Sequence, residues 1–75
     1  MAEERVRIEV GFDGGQVMGA LVGVGTADDL ERALGESGDG AFPLEAEDGR
    51  YTISLRRVVY VKRFTREARV GFTPA

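Results

Sequence analysis

Apolar and polar residues alternate along most of the chain, and this period of two predicts β-strands. In residues 5–12, every second side chain from Val6 to Phe12 is apolar, while the other face carries charges. Residues 16–25 predict a second strand that is apolar on both faces and contains three glycines. Glycine inside a strand usually marks a bend or a close approach of two backbones. We therefore expect a strongly bent sheet in which both faces of the second strand are covered.

The stretch Arg50–Phe64 is the most β-prone and the most basic part of the chain. Its alternation holds from residue 50 to residue 54 and then slips at a pair of arginines. One straight strand cannot bury a single face across that slip. The pattern therefore predicts two short strands, at about 50–54 and 58–64, joined by a tight turn at Leu55–Arg57.

Apolar residues at helical spacing follow the second strand, and they run from Ala27 to Leu34. They predict a short amphipathic helix of about nine residues. Thr26 is expected to cap its start, and Gly35 is expected to end it in a left-handed conformation. We expect this helix to cover the outer face of the second strand.

Turn signals divide the remaining sequence. Asp13-Gly14-Gly15 and Asp48-Gly49 predict hairpin turns, because glycine adopts positive φ without steric cost. A third strand is expected at 41–47, and Pro43 places its start at a sheet edge, since proline cannot donate to a ladder. A last short strand is expected at Ala68–Phe72.

Together these elements predict one mostly β domain of the α+β class that spans residues 1–75, with its core at 5–73. The expected architecture is a small, bent, antiparallel barrel of five or six strands with one short helix after the second strand. Gly19 shares the face of Leu21, where we expect the barrel to be tightest. Replacing Gly19 with valine should then overpack the interior.

Composition narrows the function classes. The chain has 75 residues and neither cysteine nor histidine, so it forms no disulfide and has poor zinc ligands. We therefore expect no enzyme, no cofactor and no metal. A domain this short is marginally stable alone, which favours association with another chain. No apolar run approaches 18 residues and the first residues do not form a signal peptide, so we expect a cytoplasmic protein without a membrane span.

Charge is divided unevenly along the sequence. Residues 1–49 hold twelve acids and three bases, whereas residues 50–69 hold seven bases and one acid. A basic segment of this kind indicates an anionic partner, unless the two halves neutralise each other within the fold or across a self-contact. The candidate contacts for an anion or a nucleic acid are Arg56, Arg57, Lys62, Arg63, Arg66 and Arg69.

Two segments resemble the Sm-like and SH3-like small barrels. Val6-x-Ile8, Gly14 and Gly19-x-Leu21 are similar to the first Sm motif, and residues 53–61 are similar to the strand–3₁₀–strand end of such barrels. The resemblance covers about residues 5–64 and implies a barrel fold. The uridine-reading Asn of true Sm proteins and the Arg-Gly after it are missing, so no RNA-pocket residue is carried over.

The layout also resembles small bacterial Sm-like domains of unknown function. In those domains an Asp-Leu helix follows the second strand and an apolar-Pro-Leu strand follows the helix. The matching residues in this sequence are Asp29-Leu30 and Phe42-Pro43-Leu44.

These observations predict a non-enzymatic, homo-oligomeric interaction module, either a dimer or a small ring. We expect the last strand at Ala68–Phe72 to pair with the first strand, Arg5–Phe12, of the next copy. One alternative is binding of single-stranded nucleic acid, RNA or DNA, through the basic segment 50–69. A second alternative is a sensor of small anionic ligands.

Overall fold

The computed structural model describes residues 4–65, which form five strands and one helix. The strands are β1 (Arg5–Phe12), β2 (Val17–Gly23), β3 (Ala41–Ala46), β4 (Gly49–Ser54) and β5 (Val58–Arg63), and helix α1 (Val24–Glu36) lies between β2 and β3. Short 3₁₀ turns occupy Asp13–Gly15 and Leu55–Arg57. Both turns and all five strands match the predicted elements to within about two residues. The strand expected at Ala68–Phe72 lies outside the described residues.

The sheet has the order β4-β3-β2-β1-β5, and all of its neighbouring strands are antiparallel. Its two edge strands, β4 and β5, are joined by only three residues. Five strands laid flat would place the edges about 19 Å apart, and a connection of this length reaches only about 14 Å. The sheet is therefore curled where the edges meet. No ladder joins β4 to β5, so the sheet is open. The predicted antiparallel α+β class is confirmed, and closure of the barrel stays a prediction.

One face of the curled sheet forms the core, and we call it the core face. Residues from β1, β2, β3 and α1 are completely buried there, including Ile8, Val10, Val22, Leu30 and Leu44. The opposite face of β1, β2 and β5, which we call the open face, has no described element packed across it. It contains the outward positions Arg5, Arg7, Glu9, Gly11, Val17, Gly19, Leu21, Tyr60 and Lys62.

Helix α1 differs from its prediction in length and in position. It begins at Val24 after Gly23, with no side-chain cap, and it continues through Gly35. Gly38, with φ of 61°, follows its end and donates its amide to the Ala33 carbonyl at 3.1 Å. The helix covers the face of β2 that bears Met18 and Val22, as expected, but this face is the core face rather than the outside of a barrel. The face of Val17 and Leu21, expected to be the barrel interior, is the open face.

The expectation for Gly19 was wrong because the face that it shares with Leu21 is the open face and not a barrel interior. Gly19 lies on the open face and is exposed. A Cβ atom there would have the Ile8 carbonyl oxygen as its nearest neighbour, at 3.9 Å, which is ordinary contact. The substitution Gly19→Val therefore does not overpack a barrel interior.

Two predictions about strand edges have opposite outcomes. Strand β3 pairs with β2 only where Ala46 opposes Val22, so the start of β3 around Pro43 is a free edge, as predicted. Strand β1, by contrast, is central and pairs with β2 on one side and β5 on the other. It offers no free edge for a strand of a second copy, and the expected intersubunit pairing through Arg5–Phe12 was wrong.

Candidate functional site

The basic residues singled out from the sequence do not gather on one surface. Arg56 and Arg57 lie in the 3₁₀ turn between β4 and β5. Lys62 lies on the open face opposite Glu9, whereas Arg63 pairs with Ile8 and therefore points to the side of the core and α1. The other two, Arg66 and Arg69, lie outside the described residues.

Arg63 is held by the acidic side of α1. Its Nη2 donates to Asp28 Oδ1 at 2.8 Å, and its Nε lies 3.4 Å from Glu31 Oε2, too far for a good hydrogen bond. The hydrogen bond to Asp28 raises the pKa of Arg63, against a smaller opposing effect of burial. This half-buried guanidinium joins β5 to α1, and its charge is neutralised within the fold.

Two further arginines of the basic segment also pair with the acidic half. Arg57 Nη1 lies 3.3 Å from Asp13 Oδ1, and Arg50 Nε lies 2.8 Å from Glu45 Oε2. Both pairs are exposed, so each contributes little to stability. They nevertheless agree with the interpretation in which the two halves of the sequence neutralise each other inside one chain.

Arg56 is different, since it makes no hydrogen bond or ion pair with any residue between 4 and 65. It lines a cleft of about 270 Å³ together with Asp13, Ser54 and Arg57. The Asp13 carboxylate in this cleft already neutralises Arg57 and disfavours a small anion there.

Tyr60 covers a glycine on the open face. Its partner in the β1–β5 ladder is Gly11, and a Cβ built on Gly11 would lie 2.1 Å from a carbon of the tyrosine ring. The hydroxyl donates to Glu9 Oε2 at 2.5 Å, while 42% of the residue stays exposed. The hydrogen bond to Glu9 raises the pKa of Tyr60. The ring is therefore fixed across the sheet with part of its surface accessible to solvent.

Phe64 and Lys62 extend this surface along β5. The Phe64 amide donates to the Arg7 carbonyl at 2.9 Å, which keeps Phe64 on the open face beside Arg7. The Lys62 ammonium lies 4.7 Å from the centroid of the Phe64 ring, within the range of a cation–π contact. Phe64 is 38% exposed. Two aromatic rings and two cations thus lie together on the open face of β5 and β1.

The contact between Gly11 and Tyr60 was not among the features predicted from the sequence. The signal was present, since a glycine in a strand with an otherwise charged face indicates a close approach. The identity of the covering residue depends on the register between β1 and β5, which alternation alone does not determine.

No protein-family model matches the chain, and no curated protein or solved structure matches it. Among residues 4–65, no group of acidic side chains is arranged to hold a metal ion. The helix in this part of the chain is too short and too polar to cross a membrane.

Proposed function

We propose that this chain is a non-enzymatic interaction module that acts as a homodimer joined through its β4 strands. The observation that carries the proposal is the outer edge of β4, which no described strand covers. An uncovered edge presents unpaired N–H and C=O groups to any strand that approaches. A second copy that satisfies these groups also adds buried surface to a domain whose own core is small.

The two edges of the sheet differ in how well they are protected. The pairing of β5 with β1 shifts its register between Gly11 and Phe12 of β1. Strand β5 also carries the positively charged residues Lys62 and Arg63. Bulges and charges of this kind discourage edge pairing. Strand β4 pairs with β3 in unbroken register over all six residues, and its single charged residue, Arg50, is turned back to Glu45. The regular, nearly uncharged edge of β4 is the better template for a second strand.

Alternation along the ladders indicates which backbone groups face outward. The Glu47 amide donates to the Leu21 carbonyl on β2, so odd-numbered residues of β3 face β2 and even-numbered residues face β4. Leu44 opposes Tyr51, which places the Tyr51 backbone toward β3 and the Thr52 backbone toward the free edge. A two-fold axis at Thr52 would pair Thr52 with itself and Tyr51 with Ile53 of the second copy.

The proposal predicts that Thr52→Pro separates the dimer. Proline removes the outward amide of residue 52 without removing a hydrogen bond to β3. The Thr52 side chain is exposed and makes no hydrogen bond with any described residue, so its loss alone should not affect stability. The matched control is Thr52→Ala, which keeps the amide. Light scattering at tens of micromolar should give twice the chain mass of 8.1 kDa for the wild type and the control, and a single chain for the proline variant.

Three results would count against this arrangement. A wild-type mass of one chain that does not change with concentration refutes self-association. A mass of three or more chains indicates head-to-tail pairing of β4 with β5, which closes into a ring rather than a dimer. A proline variant that stays dimeric, with an unchanged circular dichroism spectrum, moves the interface away from β4.

We further propose that the module is a small barrel of the Sm-like or SH3-like type. The curl of the sheet and the three-residue 3₁₀ turn between its edge strands support this assignment. An experimental structure of the dimer is the test. Because β4 pairs with the second copy, we expect an open barrel in which β4 and β5 of one chain lie close together without a ladder between them. A flat sheet with β4 and β5 far apart would contradict the assignment.

A further inference from the structure

The open face has an exposed strip along β5 that the dimer does not use. It consists of Tyr60, Lys62 and Phe64, with Arg7 beside them on β1, and we call it the β5 strip. Dimerisation through β4 uses backbone groups at the edge of that strand, whereas the strip consists of side chains on the open face of β5 and β1.

The aromatic side chains of the strip are held in place and remain exposed. Tyr60 is fixed by its contact with Gly11 and its hydrogen bond to Glu9. Phe64 lies four residues further along the same face, about 13 Å away at the rise of an extended strand. Exposed rings on a sheet are surfaces on which unpaired bases stack, with little dependence on sequence.

The charge of the strip is positive although the chain as a whole is at −3. Arg7 and Lys62 make no ion pair with any residue in the described part of the chain. Glu9, the acid opposite Lys62, accepts the Tyr60 hydroxyl. Glu47 and Asp48 line a cleft beside Arg7 on the β2 side, so an anionic strand would follow β5 rather than cross the sheet.

We propose that the β5 strip binds single-stranded nucleic acid, with bases stacked on Tyr60 and Phe64 and phosphates near Lys62 and Arg7. Stacking and phosphate contact together are the features by which strand surfaces hold unpaired nucleotides. A duplex keeps its bases stacked within its own helix and offers these rings no free base. The site differs from the set of six candidate cations indicated by the sequence, since only Lys62 belongs to both.

The test is fluorescence anisotropy of a labelled, mixed-sequence single-stranded 12-mer titrated with the full chain at low ionic strength. We expect binding that weakens as salt rises, because each neutralised phosphate releases counterions. Tyr60→Ala and Phe64→Ala should each weaken binding by roughly 5- to 150-fold, the range for loss of one stacked base. Lys62→Gln should weaken binding and reduce the salt dependence.

Two glycine variants test whether binding depends on the position of the Tyr60 ring or only on the presence of a tyrosine at this residue. Gly11→Ala introduces a methyl group where the Tyr60 ring now lies, so it displaces the ring without deleting it. Gly19→Ala adds the same methyl group on the neighbouring strand, where the nearest atom is 3.9 Å away. We expect Gly11→Ala to weaken binding about as much as Tyr60→Ala, and Gly19→Ala to change it less than twofold.

Several outcomes would overturn the proposal. The first is no anisotropy change at tens of micromolar protein and low salt. The second is binding that survives Tyr60→Ala and Phe64→Ala but is lost in Arg56→Gln, which would assign it to the 3₁₀ turn. The third is equal binding of an acidic peptide, insensitive to both aromatic variants, which would mean attraction by charge alone. Thr52→Pro should keep the affinity, so failure of the dimer and failure of this site are distinguishable.

Discussion

At the residue scale, the Tyr60 hydroxyl joins β5 to β1 through its hydrogen bond to Glu9, and Arg63 joins β5 to α1. Alternation correctly predicts strands near Glu9 and Tyr60, but these residues are 51 positions apart and their hydrogen bond depends on strand register. The ion pairs of Arg63 with Asp28 and Glu31 could not be predicted from the sequence either. The sequence shows an acidic half and a basic half, but it does not show which residues contact each other.

Alkaline titration should reveal the two tyrosines that bind carboxylates. Tyr60 donates to Glu9 and Tyr51 donates to Asp48, and each hydrogen bond raises the pKa of its tyrosine above the ordinary value of 10.0. A raised folded-state pKa means that these bonds contribute fully below pH 10 and are lost as pH rises through the folded-state pKa. We therefore expect the free energy of unfolding to fall in that alkaline range.

The measurement is the ultraviolet absorbance of tyrosinate, followed against pH in the folded protein. Glu9→Gln removes the charge that the Tyr60 hydroxyl faces, and it should lower the pKa of one tyrosine while leaving the other in place. Asp48→Asn is the reciprocal control for Tyr51. Equal titration of both tyrosines at their ordinary value in the wild type would contradict the two hydrogen bonds.

At the element scale, α1 is the feature for which sequence and structure differ most. Strand β2 is apolar on both faces, so the pattern could not show that the face covered by the helix, which bears Val22, is also the face of the core. Thr26 was expected to cap the helix, but α1 begins two residues before it, at Val24, directly after β2 ends at Gly23. Ala27 and Leu30 were correctly predicted to be buried, since helical spacing depends only on local geometry.

The contribution of α1 should be measurable at Leu30. This side chain is completely buried, and its replacement by alanine leaves a cavity between helix and sheet. We expect Leu30→Ala to lower the free energy of unfolding by about 2–5 kcal/mol in urea denaturation. Leu34→Ala, on a half-buried residue of the same helix, is the matched control and should cost less. Equal losses would mean that the helix is not docked through Leu30.

At the scale of the whole molecule, the sequence predicts the elements well and their neighbours poorly. All five strands and both 3₁₀ turns of residues 4–65 fall near their predicted positions, because alternation and turn glycines are local signals. The central place of β1 is not a local property, and the predicted role of β1 as an exposed edge was wrong. The candidate cations of the described segment are dispersed for the same reason, since their strands and turns face different directions.

This topology should also control the folding rate. Strand β1 pairs with β5 across about 50 residues, and the core face is complete only after that contact forms. Domains dominated by such distant pairings fold in roughly milliseconds to seconds. Stopped-flow refolding of the Thr52→Pro variant, which we expect to be monomeric, should show a rate in this range. Complete refolding within microseconds would contradict it.

The position of β1 between β2 and β5 has a further consequence during synthesis. Once β2 has left the ribosome, β1 can form a hairpin with it, but β5 follows only roughly 35 residues later. At typical elongation rates of about 5–20 residues per second, this delay lasts about 2–7 s. Throughout that interval the second edge of β1 is open to other strands. The nascent chain is therefore more vulnerable to misassembly than the finished protein.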